Sequence, residues 1–257
     1  MLMRKRIPAL LCAAALVLSL LAGCSSEKDT QPPAEAEPEA SVPETILWIN
    51  ATHAVLTELN GWDYTKFGGM DATDANKEMM IPFLDEWWGV TDHDSAVENI
   101  DWLLTEGHRA EFVEFMQMLV EDGWSDYSEE DAAAMIGELL EDEEAGKYLA
   151  HAFAEYQIYG DSSIDGWDYS RALSLLGWYY IAGFYTETEA LDKALEIARE
   201  LQGKFSSWDE LTESYMRGYE YWSEESADAR RGTYEELKGR SDSPYNVAWN
   251  TTLEKSW

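Results

Sequence analysis

Cysteine is almost missing from this chain. The 257 residues hold two, Cys12 inside an apolar N-terminal run and Cys24 directly after it. Everything downstream is thiol-free, which excludes disulfides, cysteine metal ligands and a cysteine nucleophile, so stability must come from a packed core. Basic residues are scarce too, 18 against 51 acidic ones, for a net charge of −33. Such a field repels nucleic acid and anionic headgroups and favours cations or basic partners, besides keeping the chain soluble. No run of alternating β-branched residues occurs, which argues against strands. The catalytic signatures H-E-x-x-H, G-x-S-x-G, the Walker loop and G-x-G-x-x-G are all absent. The four histidines, His53, His93, His108 and His151, are scattered rather than spaced as ligands. A metalloenzyme is therefore disfavoured, and no cofactor is expected.

What is present begins with an address. Arg4-Lys5-Arg6 precedes the apolar stretch Ile7 to Leu20, and Leu21-Ala22-Gly23-Cys24 follows at once. The apolar stretch is short for a spanning helix and ends in small residues, so removal is the better reading. Leu-Ala-Gly-Cys resembles the bacterial lipobox, which implies lipidation of Cys24 and cleavage before it. Residues 1–23 are then a signal peptide, and the mature chain is an extracytoplasmic protein anchored to a bacterial membrane by acyl chains, palmitate among them. Two or more chains on one residue make a stable anchor where one is marginal. Cleavage leaves 234 of the 257 residues; it removes three of the 18 basic residues and no acidic one, so 15 face 51 and the charge becomes −36. Residues 24–43, rich in Glu, Ala and Ser with Pro32, Pro33, Pro38 and Pro43, read as a disordered tether of about 25 Å as a flexible coil.

From Glu44 to Trp257 the pattern is helical, and the expected fold is all-α: one compact multi-helix domain behind the tether. Ile46, Ile49, Ala54 and Leu59 recur at helical spacing, as do Met79, Met80, Phe83, Leu84 and Trp87. Thr91 with Asp94 forms a capping pattern before Ala96, Ile100, Leu103 and Leu104, and Gly107 closes that helix. Ser128 with Asp131 opens an acidic helix, and aromatic helix returns from Tyr148 to Tyr159. The densest stretch runs from Gly166 to Trp222. There Trp167, Ala172, Leu175, Leu176 and Tyr179 share a face, Gly183 ends the helix, and Thr186 with Glu189 caps the next. Ala190, Ala194, Ile197, Ala198 and Leu201 form its stripe of mostly small residues, Gly203 stops it, and Ser207 with Glu210 caps a third helix reaching Trp222. The remainder, with Arg230, Arg231, Arg240, Pro244, Trp249 and Trp257, reads as a peripheral clasp.

Several of these residues occur in an order that resembles a known family. Trp167-Asp168-x-x-Arg171, Ala182-Gly183-Phe184, Glu189-Ala190 and Phe205 to Trp208, preceded by Trp88 to Thr91, Trp102-Leu103 and Gly107-His108-Arg109, resemble the bacterial family called domain of unknown function 1266. The resemblance covers residues 88–222. It implies a helical fold and no assigned activity. Where the family tends to show R-W-G-Y, this chain has Gly177-Trp178-Tyr179-Tyr180.

Within that stretch lie the candidate ligand-binding residues. Asp168 and Arg171, three apart on a helix, share a face and can pair, with Trp167 beside them as a shield. That pair serves equally as a structural pin. His108 and Arg109 could join it by offering a guanidinium fork to a carboxylate or phosphate; their structural alternative is to complement the dipole at a helix end. Asp161, Ser163, Asp165 and Gly166 match the opening of an EF-hand loop, but the bidentate Glu is replaced by Ala172. Asp168 could stand in, for weak calcium binding at most. The twelve tryptophans and 14 tyrosines fill the core of a chain poor in Phe. The composite expectation is a non-catalytic interaction module of the cell envelope that binds a protein or other envelope ligand of basic character. The alternatives are a hydrolase using carboxylates near Arg171 and His108, and a weak calcium binder.

Overall fold

The computed structural model describes residues 42–257, so the expected signal peptide, Cys24 and all but the end of the expected tether lie outside the described residues. Among the described residues every regular element is helical. In order these are α1 (Glu44–Ala51), α2 (Ala54–Leu59), α3 (Asp74–Trp88), α4 (His93–Thr105), α5 (Gly107–Glu121), α6 (Glu129–Leu140), α7 (Glu143–Tyr159), α8 (Asp165–Ala182), α9 (Glu187–Lys204), α10 (Trp208–Ser223) and α11 (Asp228–Lys238), with 3-10 turns between some of them.

The capping chemistry explains most of the helix starts. Ser128 accepts from the Asp131 N–H, Thr186 from that of Glu189 and Ser207 from that of Glu210, each satisfying an N–H that the helix itself leaves unpaired. Gly183 ends α8 in the left-handed conformation at φ 75°. Three expectations shift. The cap of α4 is Asp92 rather than Thr91, because the Asp92 carboxylate takes the Ser95 N–H while the Ser95 hydroxyl takes the N–H groups of Thr91 and Asp92. Gly203 lies inside α9, which continues to Lys204. Gly107 does not simply close α4: it is the first residue of α5, which follows with no intervening loop.

Helix α8 is the axis of the molecule. α1, α3, α4, α5, α9 and α10 all pack on it, and of its residues Tyr180 alone escapes full burial. The expected single apolar face is thus a helix enclosed on every side, the usual place for a helix with no polar face. Its small residues make this possible. At Gly177 a Cβ would lie 2.4 Å from the Cα of Gly68, so only glycine lets the two backbones touch. This contact accounts for the glycine at 177. Tyr179, fully buried, directs its hydroxyl to Asn99 Oδ1 at 2.8 Å and so buries no unpaired polar atom.

The C-terminal segment is part of the core rather than peripheral. Trp48 of α1, Trp208 of α10 and Trp249 form a triangle with centroids 4.8 to 5.1 Å apart. Trp48 Nε1 donates to the Trp249 carbonyl at 2.9 Å and Trp208 Nε1 to that of Val247 at 2.9 Å. Gln202 and Arg199 of α9 bond the carbonyls of Trp249, Thr251 and Leu253, which supplies the backbone partners that an extended tail lacks.

Candidate functional site

The expected pairing of Asp168 with Arg171 is formed, and His108 and Arg109 are brought to it. The place where they meet is the joint between α4 and α5. Because α5 starts directly after α4, its first N–H groups have no helical acceptor, and its N-cap residue Glu106 makes no capping bond from its side chain. Asp168, one turn into α8, inserts its carboxylate there. Oδ1 accepts the N–H of His108 at 3.2 Å and Oδ2 that of Arg109 at 3.0 Å. Gly107 makes room: its φ is +59°, and a Cβ on it would sit 2.1 Å from Asp168 Oδ2.

The same carboxylate holds both arginines. Arg171 Nη2 donates to Oδ1 at 2.5 Å, and Arg109 Nη1 lies 3.4 Å from Oδ2. Arg109 also reaches back to α4, donating from Nη1 to the Leu103 carbonyl at 2.5 Å and from Nη2 to that of Leu104. One guanidinium therefore terminates α4 while one carboxylate initiates α5, each opposing the local helix dipole with the correct sign. His108 and Arg109 sit at the start of α5, not at the end of α4. At that position the Arg109 cation faces the positive end of the helix dipole, and it is Asp168 that makes it tolerable.

Arg171 completes a closed set. Its guanidinium carbon lies 4.2 Å from the centre of the Trp167 ring and 5.5 Å from that of Trp88, and its Nε donates to the Trp167 carbonyl at 3.2 Å. Its Nη2 is 2.8 Å from His108 Nδ1. A guanidinium can only donate, so that nitrogen presents its lone pair, which places the ring proton on Nε2. His108 Nδ1 and Asp168 Oδ1 are 3.6 Å apart, a contact too long for a hydrogen bond. Burial pushes the Asp168 carboxyl up, but the Arg171 charge and the backbone N–H groups of Arg109 and His108 oppose it, and the group is held below the usual carboxylate range. Burial lowers Arg171 from its ordinary value, with the Asp168 charge opposing that shift.

A carboxylate offers about four lone-pair positions, and four donors occupy those of Asp168. Its side chain is wholly enclosed, while those of Arg171, Arg109 and His108 are 8%, 14% and 25% exposed. The arrangement can hold two helices together. It leaves no oxygen of Asp168 free for a metal or a substrate.

The carboxylates among the calcium-like residues have separate partners as well. Asp161 accepts from the Tyr156 hydroxyl at 2.8 Å, and Asp165 is bound by Lys204 at 3.1 Å with Arg109 3.8 Å away. Ser163 is buried, and its carbonyl takes Ser214 Oγ and Arg217 Nε. Among the described residues no group of three or more His, Cys, Asp or Glu side chains is placed to hold a metal ion. Of the other histidines, His53 is buried where α1 meets α2, His93 pairs with Glu189 at 2.8 Å and His151 with Glu129 at 3.1 Å.

The Asp165–Lys204 pair and the Trp88 ring over Arg171 were not legible, since nothing in the spacing of residues 39 or 83 apart announces contact. Residues 83–249 match the model of a family described as a protein of unknown function, DUF1266. No curated protein and no solved structure matches the chain.

Proposed function

The chain belongs to the DUF1266 family, and from that premise we propose that it is a non-catalytic interaction module of the cell envelope, anchored outside the cytoplasm by lipid on Cys24. Its ligand is a protein or other envelope component of basic character. The observation that carries this reading is the saturation of Asp168: the constellation with the best claim to chemistry is spent on joining α4 to α5. What remains chemically distinctive is a surface with 51 acidic and 18 basic residues in the full chain, a field that attracts basic partners and speeds their encounter.

The test has two arms. Radiolabelled palmitate should enter the wild-type chain in a bacterial host and not the Cys24→Ser variant, which should leave the membrane fraction. The mature chain, immobilised, should retain a defined set of envelope proteins at low salt and lose part of it at moderate salt, since contacts between exposed charges are screened. Retention of nothing above background at either salt would overturn the binding reading. An activity found by substrate screening that His108→Ala abolishes without unfolding the chain would favour a hydrolase.

A further inference from the structure

The joint between α4 and α5 is bordered by aromatic rings that the fold leaves partly open. Trp88 of α3, Arg171 and Trp167 of α8 and Trp222 of α10 follow one another as a ladder. The Arg171 guanidinium carbon lies 5.5 Å from the centre of the Trp88 ring and 4.2 Å from that of Trp167, and the Trp167 and Trp222 centroids are 5.6 Å apart. His108 of α5 branches from Arg171 at 2.8 Å and meets Trp102 of α4 edge to face at 5.3 Å. Trp88 and Trp102 stay half-buried and Trp222 is 49% exposed. Locking the joint does not require these rings to be open, and contiguous exposed apolar groups mark ligand surfaces rather than core.

The polar atoms left over along the ladder are donors. Arg171 spends Nε on the Trp167 carbonyl and Nη2 on Asp168 and His108; among the described residues its Nη1 has no hydrogen-bond partner. His108 carries its ring proton on Nε2, likewise unpartnered, and its side chain is 25% exposed. Trp167 Nε1 is buried without an acceptor, which costs about 1–3 kcal/mol. Acceptor oxygens are what the place is short of.

Charge narrows the class of ligand. A cationic segment meets Arg171 and finds the Asp168 carboxylate already filled. An anion meets the field of a chain with a net charge of −33. A neutral sugar chain meets neither obstacle. Its hydroxyl and ring oxygens accept from the donors, and the C–H faces of its rings lie against the faces of indoles.

We propose that the ladder binds a neutral polysaccharide, with sugar rings on Trp88, Trp102 and Trp222 and oxygens accepting from Arg171 Nη1 and His108 Nε2. This is a second ligand, independent of the basic partner that the acidic surface attracts.

The experiment titrates the mature chain by calorimetry with two neutral probes, cellohexaose and the hexamer of N-acetylglucosamine, of which at least one should bind. Trp222→Ala and Trp102→Ala should each weaken that binding about tenfold, as the loss of an anchoring indole does. Trp222→Phe, which keeps a ring, should hold it within about threefold. The control is Trp87→Ala: that ring is 46% exposed but lies against Phe83 at 6.5 Å, outside the ladder, and its loss should change affinity by less than about twofold. Failure of both hexamers to bind overturns the proposal. So does unchanged affinity in a Trp222→Ala chain of normal helicity and melting, or weakening by Trp87→Ala equal to that by Trp222→Ala. Tighter binding of a hexagalacturonate or of a proline-rich peptide than of either neutral hexamer also overturns it, and would assign the ladder to an anionic glycan or to a peptide.

Discussion

Replacing Asp168 with Asn keeps the size of the side chain and removes its charge, and the consequences can be worked from the contacts. The amide turns an NH2 toward positions where donors from His108, Arg109 and Arg171 already converge. One side of the carboxylate's role is lost as a helix cap, worth about 1 kcal/mol. The larger loss is the counter-charge of Arg171, whose side chain is 8% exposed; stranding one member of a buried pair costs about 3–5 kcal/mol. For a domain of this size each kcal/mol moves the melting temperature by about 2–4 °C, so the variant should melt roughly 6–20 °C lower. The assay is thermal denaturation by circular dichroism at neutral pH, with Arg171→Met and the double variant alongside. If the unpaired guanidinium is the main cost, Arg171→Met should recover part of the loss, and the double variant should be more stable than the sum of the singles. A catalytic carboxylate behaves in the opposite way, since its removal commonly leaves stability unchanged or raises it. A loss below about 1 kcal/mol for Asp168→Asn would refute the structural assignment, because that is no more than an ordinary cap is worth.

Four further outcomes follow from the same structure. Gly107→Ala adds a Cβ 2.1 Å from Asp168 Oδ2 at a residue with φ +59°, and should destabilise by about 2–4 kcal/mol in chemical denaturation; a neutral result would mean that the carboxylate is free to move. His53 is buried with Nε2 unpartnered, and burial lowers its pKa from 6.5 to about 4. The unfolded chain therefore binds the proton more readily, so this contribution is complete above pH 6.5 and is lost as the pH falls toward 4, by about 3 kcal/mol at 1.36 kcal/mol per unit. His53→Leu should flatten the denaturation midpoint across that window, and an unchanged slope would contradict the burial argument. Asp168 acts at lower pH: its depressed value gives stability that is present above the unfolded carboxyl pKa and lost as the pH falls through the folded one. Trp249→Ala should cost about 3–5 kcal/mol by opening the triangle with Trp48 and Trp208, and a loss within 1 kcal/mol would restore the tail to a peripheral role.

The legible part of the fold is the part whose causes are local. The caps at Ser128, Thr186 and Ser207 and the left-handed stop at Gly183 are decided within four residues, and they stand where the spacing places them. Helix α5 has no such signal. Its capping group belongs to Asp168, some 60 residues away, so its start is invisible without the tertiary structure and its apolar residues Phe112, Met116 and Leu119 pass unassigned. α11 buries Tyr234 and Leu237 among charged neighbours, too little apolar pattern to mark a helix. For α8 the period was right and the environment was not: Ser170, Ser174 and Gly177 do not form a polar face but allow neighbours to close in. The same limit governs the site. Spacing alone places Asp168 beside Arg171, whereas which helix end His108 and Arg109 occupy depends on whether Gly107 closes one helix or opens the next.

The central claim is that the Asp168 carboxylate locks the α4–α5 joint by accepting the N–H groups of His108 and Arg109. Amide hydrogen exchange at those two residues tests it most directly. In the wild-type chain both amides should exchange only through global unfolding, with protection equal to that of the α8 core, and in Asp168→Asn both should exchange through local opening at least about a hundredfold faster, while α8 retains its own slower rate. Rapid exchange of both amides in the wild-type chain, or rates in the variant that remain tied to those of α8, would contradict the account.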